Sequence, residues 1–60
     1  MKVECKKIII EGKYIPDIVD LNVNITPSVQ FQFYRTLIKK ALEIKLGKRV
    51  DNFSYKFLTF

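Results

Sequence analysis

Histidine and tryptophan are missing from this 60-residue chain, and cysteine occurs once, as Cys5. Without histidine the familiar Cys/His zinc sets cannot be assembled, and the commonest general base is unavailable. A single cysteine closes no intramolecular disulfide. The two glycines, Gly12 and Gly47, stand far apart and make neither a phosphate-binding loop nor a dinucleotide fingerprint. Acids are sparse as well. Asp17 and Asp20 are the closest pair, and on a strand of period two their side chains would point to opposite faces, while Glu4, Glu11, Glu43 and Asp51 are scattered. Cys5 sits in an apolar strand pattern with no histidine to activate it, so it reads as a packed thiol rather than a nucleophile. These absences point away from catalysis and predict a non-enzymatic protein with no cofactor and no metal.

Long apolar runs are absent too. The longest aliphatic stretch is Ile8-Ile9-Ile10, whereas a spanning helix needs about 20 apolar residues, so no membrane span is expected. Lys2, Glu4, Lys6 and Lys7 interrupt the apolar residues near the N-terminus, where nothing resembles a signal peptide. Together with the lone cysteine, this predicts a cytoplasmic protein in a reducing compartment.

Residues 1–60 read as a single domain, without internal repeat, low-complexity segment or linker. So short a chain buries only about 60% of the surface its unfolded form exposes, and small domains commonly rely on disulfides, metals or self-association. The first two are lacking here. A hydrophobic fraction of 48% is generous for a thin core, which makes self-association the expected reinforcement.

Val3 and Cys5 share one parity in a first strand from Lys2 to Glu11, and Ile8 and Ile10 share the other. The switch at Lys6-Lys7 calls for a bulge or for a strand buried on both faces. Gly12-Lys13 and Pro16-Asp17 supply turn signals, predicting a loop or bulged hairpin. From Ile18 to Ile25 the alternation is strict, with Val19, Leu21, Val23 and Ile25 apolar, as in a half-buried strand. Thr26-Pro27 can open a helix, and Gly47 can close it. The predicted helix runs from about Pro27 to Leu46.

At ~100° per residue, Phe33, Tyr34, Leu37, Ala41 and Ile44 fall on one stripe of this helix, read as core, and Phe31, Ile38 and Leu42 on a second beside it. A last strand from Asp51 to Phe60 alternates Phe53, Tyr55 and Phe57 with polar residues, then places Leu58 and Phe60 on the opposite face. The expected fold is therefore an α+β domain, β-β-α-β in chain order. Its three-stranded sheet has spatial order 2-1-3, and one long helix packs on one face.

Two function classes follow. The first is a homo-oligomeric protein-interaction module, most simply a dimer, with Phe31, Ile38, Leu42, Leu58 and Phe60 at the subunit contact. The bias toward Lys, Ile, Asn, Phe and Tyr suits an AT-rich genome, and an inhibitor or regulator of the phage or mobile-element kind is its expected form. The second class rests on charge. The net charge of +5 is concentrated in Arg35, Lys39, Lys40, Lys45, Lys48 and Arg49. These residues can meet the phosphates of a nucleic acid while strand aromatics stack on bases. The same cluster also complements a helix C-terminus and keeps a small domain soluble.

Overall fold

A computed structural model describes residues 1–58. It contains four strands, β1 (Lys2–Ile10), β2 (Lys13–Ile15), β3 (Val19–Asn22) and β4 (Asn52–Phe57). One helix, α1 (Tyr34–Leu46), is preceded by a 3-10 turn at Phe31–Phe33. All pairings involve β1 and are antiparallel. β1 holds the centre. β2 and β3 line one edge in series, and β4 lines the other, because Ile9 pairs with both Tyr14 and Asn52 while Glu4 pairs with both Asp20 and Lys56. Counting β2 and β3 as one interrupted strand, the order is the expected 2-1-3 in an α+β domain.

The parity switch in β1 is a bulge. Lys6 pairs with Ser54 and Ile9 with Asn52, so Lys7 and Ile8 together oppose Phe53. Lys7 takes a positive φ of 54°, the left-handed conformation of the first residue in a G1-type bulge. On the other edge Cys5 pairs with Val19 and Ile8 with Ile15, so two residues of β1 face the three residues Pro16, Asp17 and Ile18. Proline has no amide to donate to a ladder, which accounts for the interruption there. The extra residue rotates the strand, and Val3, Cys5, Ile8 and Ile10 all enter one core with Leu21, Val23, Ile38, Leu42, Val50 and Phe53. A central strand pressed from two sides, the other reading of that switch, is not what forms.

β1 and β2 are joined through Glu11 and Gly12, with φ of 52° and 73°. Two central residues at positive φ define the turn type that matches strand twist, and glycine suits it while glutamate does not. Asp51 secures the turn from across the sheet. Its Oδ2 accepts the Gly12 N–H at 3.1 Å, and its own N–H donates to the Ile9 carbonyl at 2.8 Å. Because a left-handed conformation is strained for a residue with a Cβ, Glu11→Asn is expected to stabilise the domain by up to about 1 kcal/mol. A urea midpoint that stays level or falls would contradict this.

Thr26 does not cap the helix. Its hydroxyl lies 2.8 Å from the Ser28 hydroxyl, and its carbonyl accepts the Val29 N–H at 3.0 Å, so the segment closes as a turn of its own. The chain is still extended at Gln30, and α1 starts seven residues later than expected, at Tyr34. Its end is where the sequence places it. Gly47 is left-handed at φ 69°, and its N–H bonds the Glu43 carbonyl at 2.8 Å.

Candidate functional site

The helix meets the sheet through Tyr34, Ile38, Ala41, Leu42 and Leu46. Ile38 and Leu42 are fully buried, at 0% exposure. Both were expected at a dimer contact, and both are core instead. The other apolar stripe, expected to be core, turns to solvent: Phe33 is 50% and Ile44 76% exposed, and Leu37 is only half-buried. Tyr34 and Ala41 of that stripe still face the sheet, so the helix is rotated until Ile38 and Leu42 are innermost and Phe33 and Ile44 lie outside. A signal was present in the sequence. Tyr34, Ile38, Leu42 and Leu46 recur every fourth residue without a charge, whereas Lys40 interrupts the row formed by Phe33, Leu37 and Ile44.

Of the remaining residues expected at a subunit contact, Phe31 is 79% and Leu58 42% exposed, and Phe60 lies outside the described residues. Phe31 ends a chain of ring contacts. Its centroid is 5.6 Å from Tyr34, which meets Phe57 edge-on at 5.9 Å; Phe57 in turn contacts Tyr55 at 5.7 Å. Phe53 is buried, and Tyr55 and Phe57 pack against the core. The aromatic row of β4 thus lies on the core side of the sheet, where it offers no open platform for stacking bases. The far side of the sheet carries Lys2, Glu4, Lys6, Asp20, Asn22, Ser54 and Lys56, a polar surface of mixed charge, with Ile9 and the exposed Tyr14 at its hairpin end.

The basic residues separate into groups with different surroundings. Lys39, Lys40, Lys48 and Arg49 line one shallow depression at the C-terminal end of α1, together with Glu43, Ile44 and Gly47. Within it the Glu43 carboxylate accepts the Val50 N–H at 2.9 Å, fixing the chain as it leaves the helix. Lys45 lies elsewhere, beside Asp20, Asn22 and Leu58. Arg35 is also apart from the cluster. It donates to the Phe53 carbonyl at 2.9 Å and to Asn52 Oδ1, and its guanidinium carbon lies 4.3 Å from the centroid of the Phe53 ring. Asn52 Oδ1 also accepts the Phe53 N–H at 2.9 Å. The two side chains thus satisfy both backbone groups of the residue opposite the bulge, and Arg35 serves the fold.

A second depression lies at the other end of the helix, lined by Ser28, Val29, Gln30, Phe33, Thr36 and Leu37. With the basic depression it forms one continuous outward face of α1, apolar toward the N-terminus and cationic toward the C-terminus. Among the described residues no group of three or more histidine, cysteine, aspartate or glutamate side chains could hold a metal ion. No helix among them is long and apolar enough to cross a membrane.

Cys5 is buried in the core, and burial pushes its thiol up to about 11 from an ordinary 9.0, with the Asp20 carboxylate adding to the effect. The folded chain therefore keeps the proton that the unfolded chain releases, and the stability supplied by the neutral thiol is lost as pH rises from about 9 to about 11. Thermal melts across that range should show a loss that is smaller in Cys5→Ala. Equal losses in the two proteins would refute this assignment. Compared with protein-family models, with curated proteins and with solved structures, the chain matches none.

Proposed function

We propose that this chain is a non-enzymatic protein-interaction module, acting in the cytoplasm as an inhibitor or regulator that engages another protein through the outward face of α1. The observation that carries the reading is the placement of Phe33 and Ile44 on solvent, with Leu37 half-buried between them, while Ile38 and Leu42 complete the core. Apolar side chains aligned along one helix face are an anchor pattern for a protein partner. The scarcity of chemically competent side chains supports the non-enzymatic part.

The case for a homodimer through Phe31, Ile38, Leu42, Leu58 and Phe60 is weakened by the burial of Ile38 and Leu42. A stable complex needs about 800 Å² from each partner. Phe31 and Leu58 are too few to supply that area, and the proposed partner is a different protein.

Nucleic acid is the second reading, favoured by the four cations gathered around one depression. Affinity capture from the native host separates the two. The wild-type chain should retain a protein partner after nuclease treatment, and the Phe33→Asp/Ile44→Asp variant should lose it. Loss of all partners with nuclease would transfer the function to nucleic acid binding.

A further inference from the structure

We infer that the outward face of α1 takes an amphipathic helical segment of another protein that carries acidic residues at one end. This rests on the protein-interaction reading above and specifies the chemistry of the partner. Phe33, Leu37 and Ile44 lie at spacings of four and seven residues, so they form a row about 16 Å long at 1.5 Å per residue. That length matches three turns of an opposing helix. The apolar depression beside Phe33 and Leu37 is concave, which suits an inserted side chain.

Charge complementarity selects among occupants. At the Ile44 end the row is flanked by Lys40, Lys48 and Arg49, and the carboxylate among the described lining residues, Glu43, accepts the Val50 N–H. The Phe33 end is flanked by the uncharged Ser28, Gln30 and Thr36. A partner that complements the whole face is apolar along its length and acidic where it meets the three cations. A second copy of this chain fits less well. Placed antiparallel, it sets cations against uncharged residues, and placed parallel it sets cations against cations, with only Glu43, already bonded to the Val50 N–H, to offset them. An anionic membrane surface would call for cations along the full row, whereas here they occupy one end. Nucleic acid would leave Leu37 and Ile44 without a role, since bases stack on aromatic rings and phosphates meet cations, whereas these two side chains are aliphatic.

Display selection of random 15-residue peptides against the full chain tests this directly. The expected winners show helical apolar periodicity with Asp or Glu at one end. Representative peptides should bind about tenfold or more weakly to Lys48→Glu/Arg49→Glu, lose affinity as salt rises, and fail to bind Phe33→Asp/Ile44→Asp. All four positions are exposed, and circular dichroism melts verify that the variants fold. Winners that lack acidic residues and are indifferent to the charge reversal, but still need Phe33 and Ile44, would overturn the acidic specification and leave the protein-interaction reading standing. Failure to enrich any peptide dependent on this face would overturn the inference. So would sedimentation as a dimer abolished by Ile44→Asp, or binding to anionic vesicles lost in the same variant. If binding were found only to oligonucleotides, the inference and the function proposed above would fall together.

Discussion

Ile38→Ala is expected to lower stability by ~2–5 kcal/mol, a large fraction of what a domain of this size has in total, and to leave the chain largely unfolded at room temperature. Ile38 is fully buried among residues of β1, β3 and β4, and removing its branched side chain opens a cavity in the hydrophobic core of the described residues. Leu42→Ala, one turn further along the same face, should behave alike. Ile44→Ala provides the contrast. With 76% of Ile44 already exposed, little of its apolar surface leaves water on folding, and the change should stay within about 0.5 kcal/mol. Leu37→Ala should fall between these extremes. Urea denaturation of the variants would decide which helix stripe is core, since a costly Ile44→Ala with a tolerated Ile38→Ala would reverse the assignment.

Arg35→Ala is the second change with a large expected effect, about 2–3 kcal/mol. Three interactions are lost together: the hydrogen bond to the Phe53 carbonyl, the bond to Asn52 Oδ1, and the cation over the Phe53 ring. A hydrogen bond to a charged group contributes roughly 1.5–3 kcal/mol, and an exposed cation–π contact roughly 0.5–1 kcal/mol. Solvent reaches Arg35, so the sum is discounted. Arg35→Lys should recover little, because an ammonium cannot span the carbonyl, the amide and the ring at once. The matched control is Lys40→Ala, which removes a cation from the outward face and should leave the urea midpoint nearly unchanged. Equal effects of the two substitutions would show that Arg35 acts only as surface charge.

Legibility in the sequence followed the range of the interactions involved. The alternation of Val19, Leu21, Val23 and Ile25 placed a strand with a buried face, and Leu21 and Val23 are core, although the strand itself ends at Asn22 rather than Ile25. The parity change at Lys6-Lys7 registered the bulge, because a displaced strand must shift its apolar residues by one position to keep them inside. Gly47 marked the helix end for an equally local reason. The helix start was misplaced because Thr26 has two competing partners for its polar groups, and the turn with Ser28 and Val29 satisfies them before a helix can form. Among the candidate site residues, sequence position grouped six cations. The structure keeps Lys39, Lys40, Lys48 and Arg49 together, and places Lys45 and Arg35 in other surroundings.

What the sequence determined by itself was the β-β-α-β order of the main elements, since hydrophobic period, turn residues and a terminal glycine act within a few residues of one another. The short strand β2 lies where the turn signals predicted only a connection. It also settled which common chemical groups are lacking. The rotation of α1 was decided only in the tertiary structure. Two apolar stripes lie side by side on that helix, and the charge-free row through Ile38 and Leu42 is favoured by the sequence but not fixed by it. The choice rests on contacts between residues distant in the chain. Arg35 is held at β4 by Asn52 and Phe53, while Ile38 and Leu42 pack with Val3, Cys5 and Leu21. Those contacts bury the uninterrupted row and leave Lys40 in water, because an ammonium is costly to desolvate and an exposed isoleucine is not. The surface proposed for a partner is the face of the helix that this choice left uncovered.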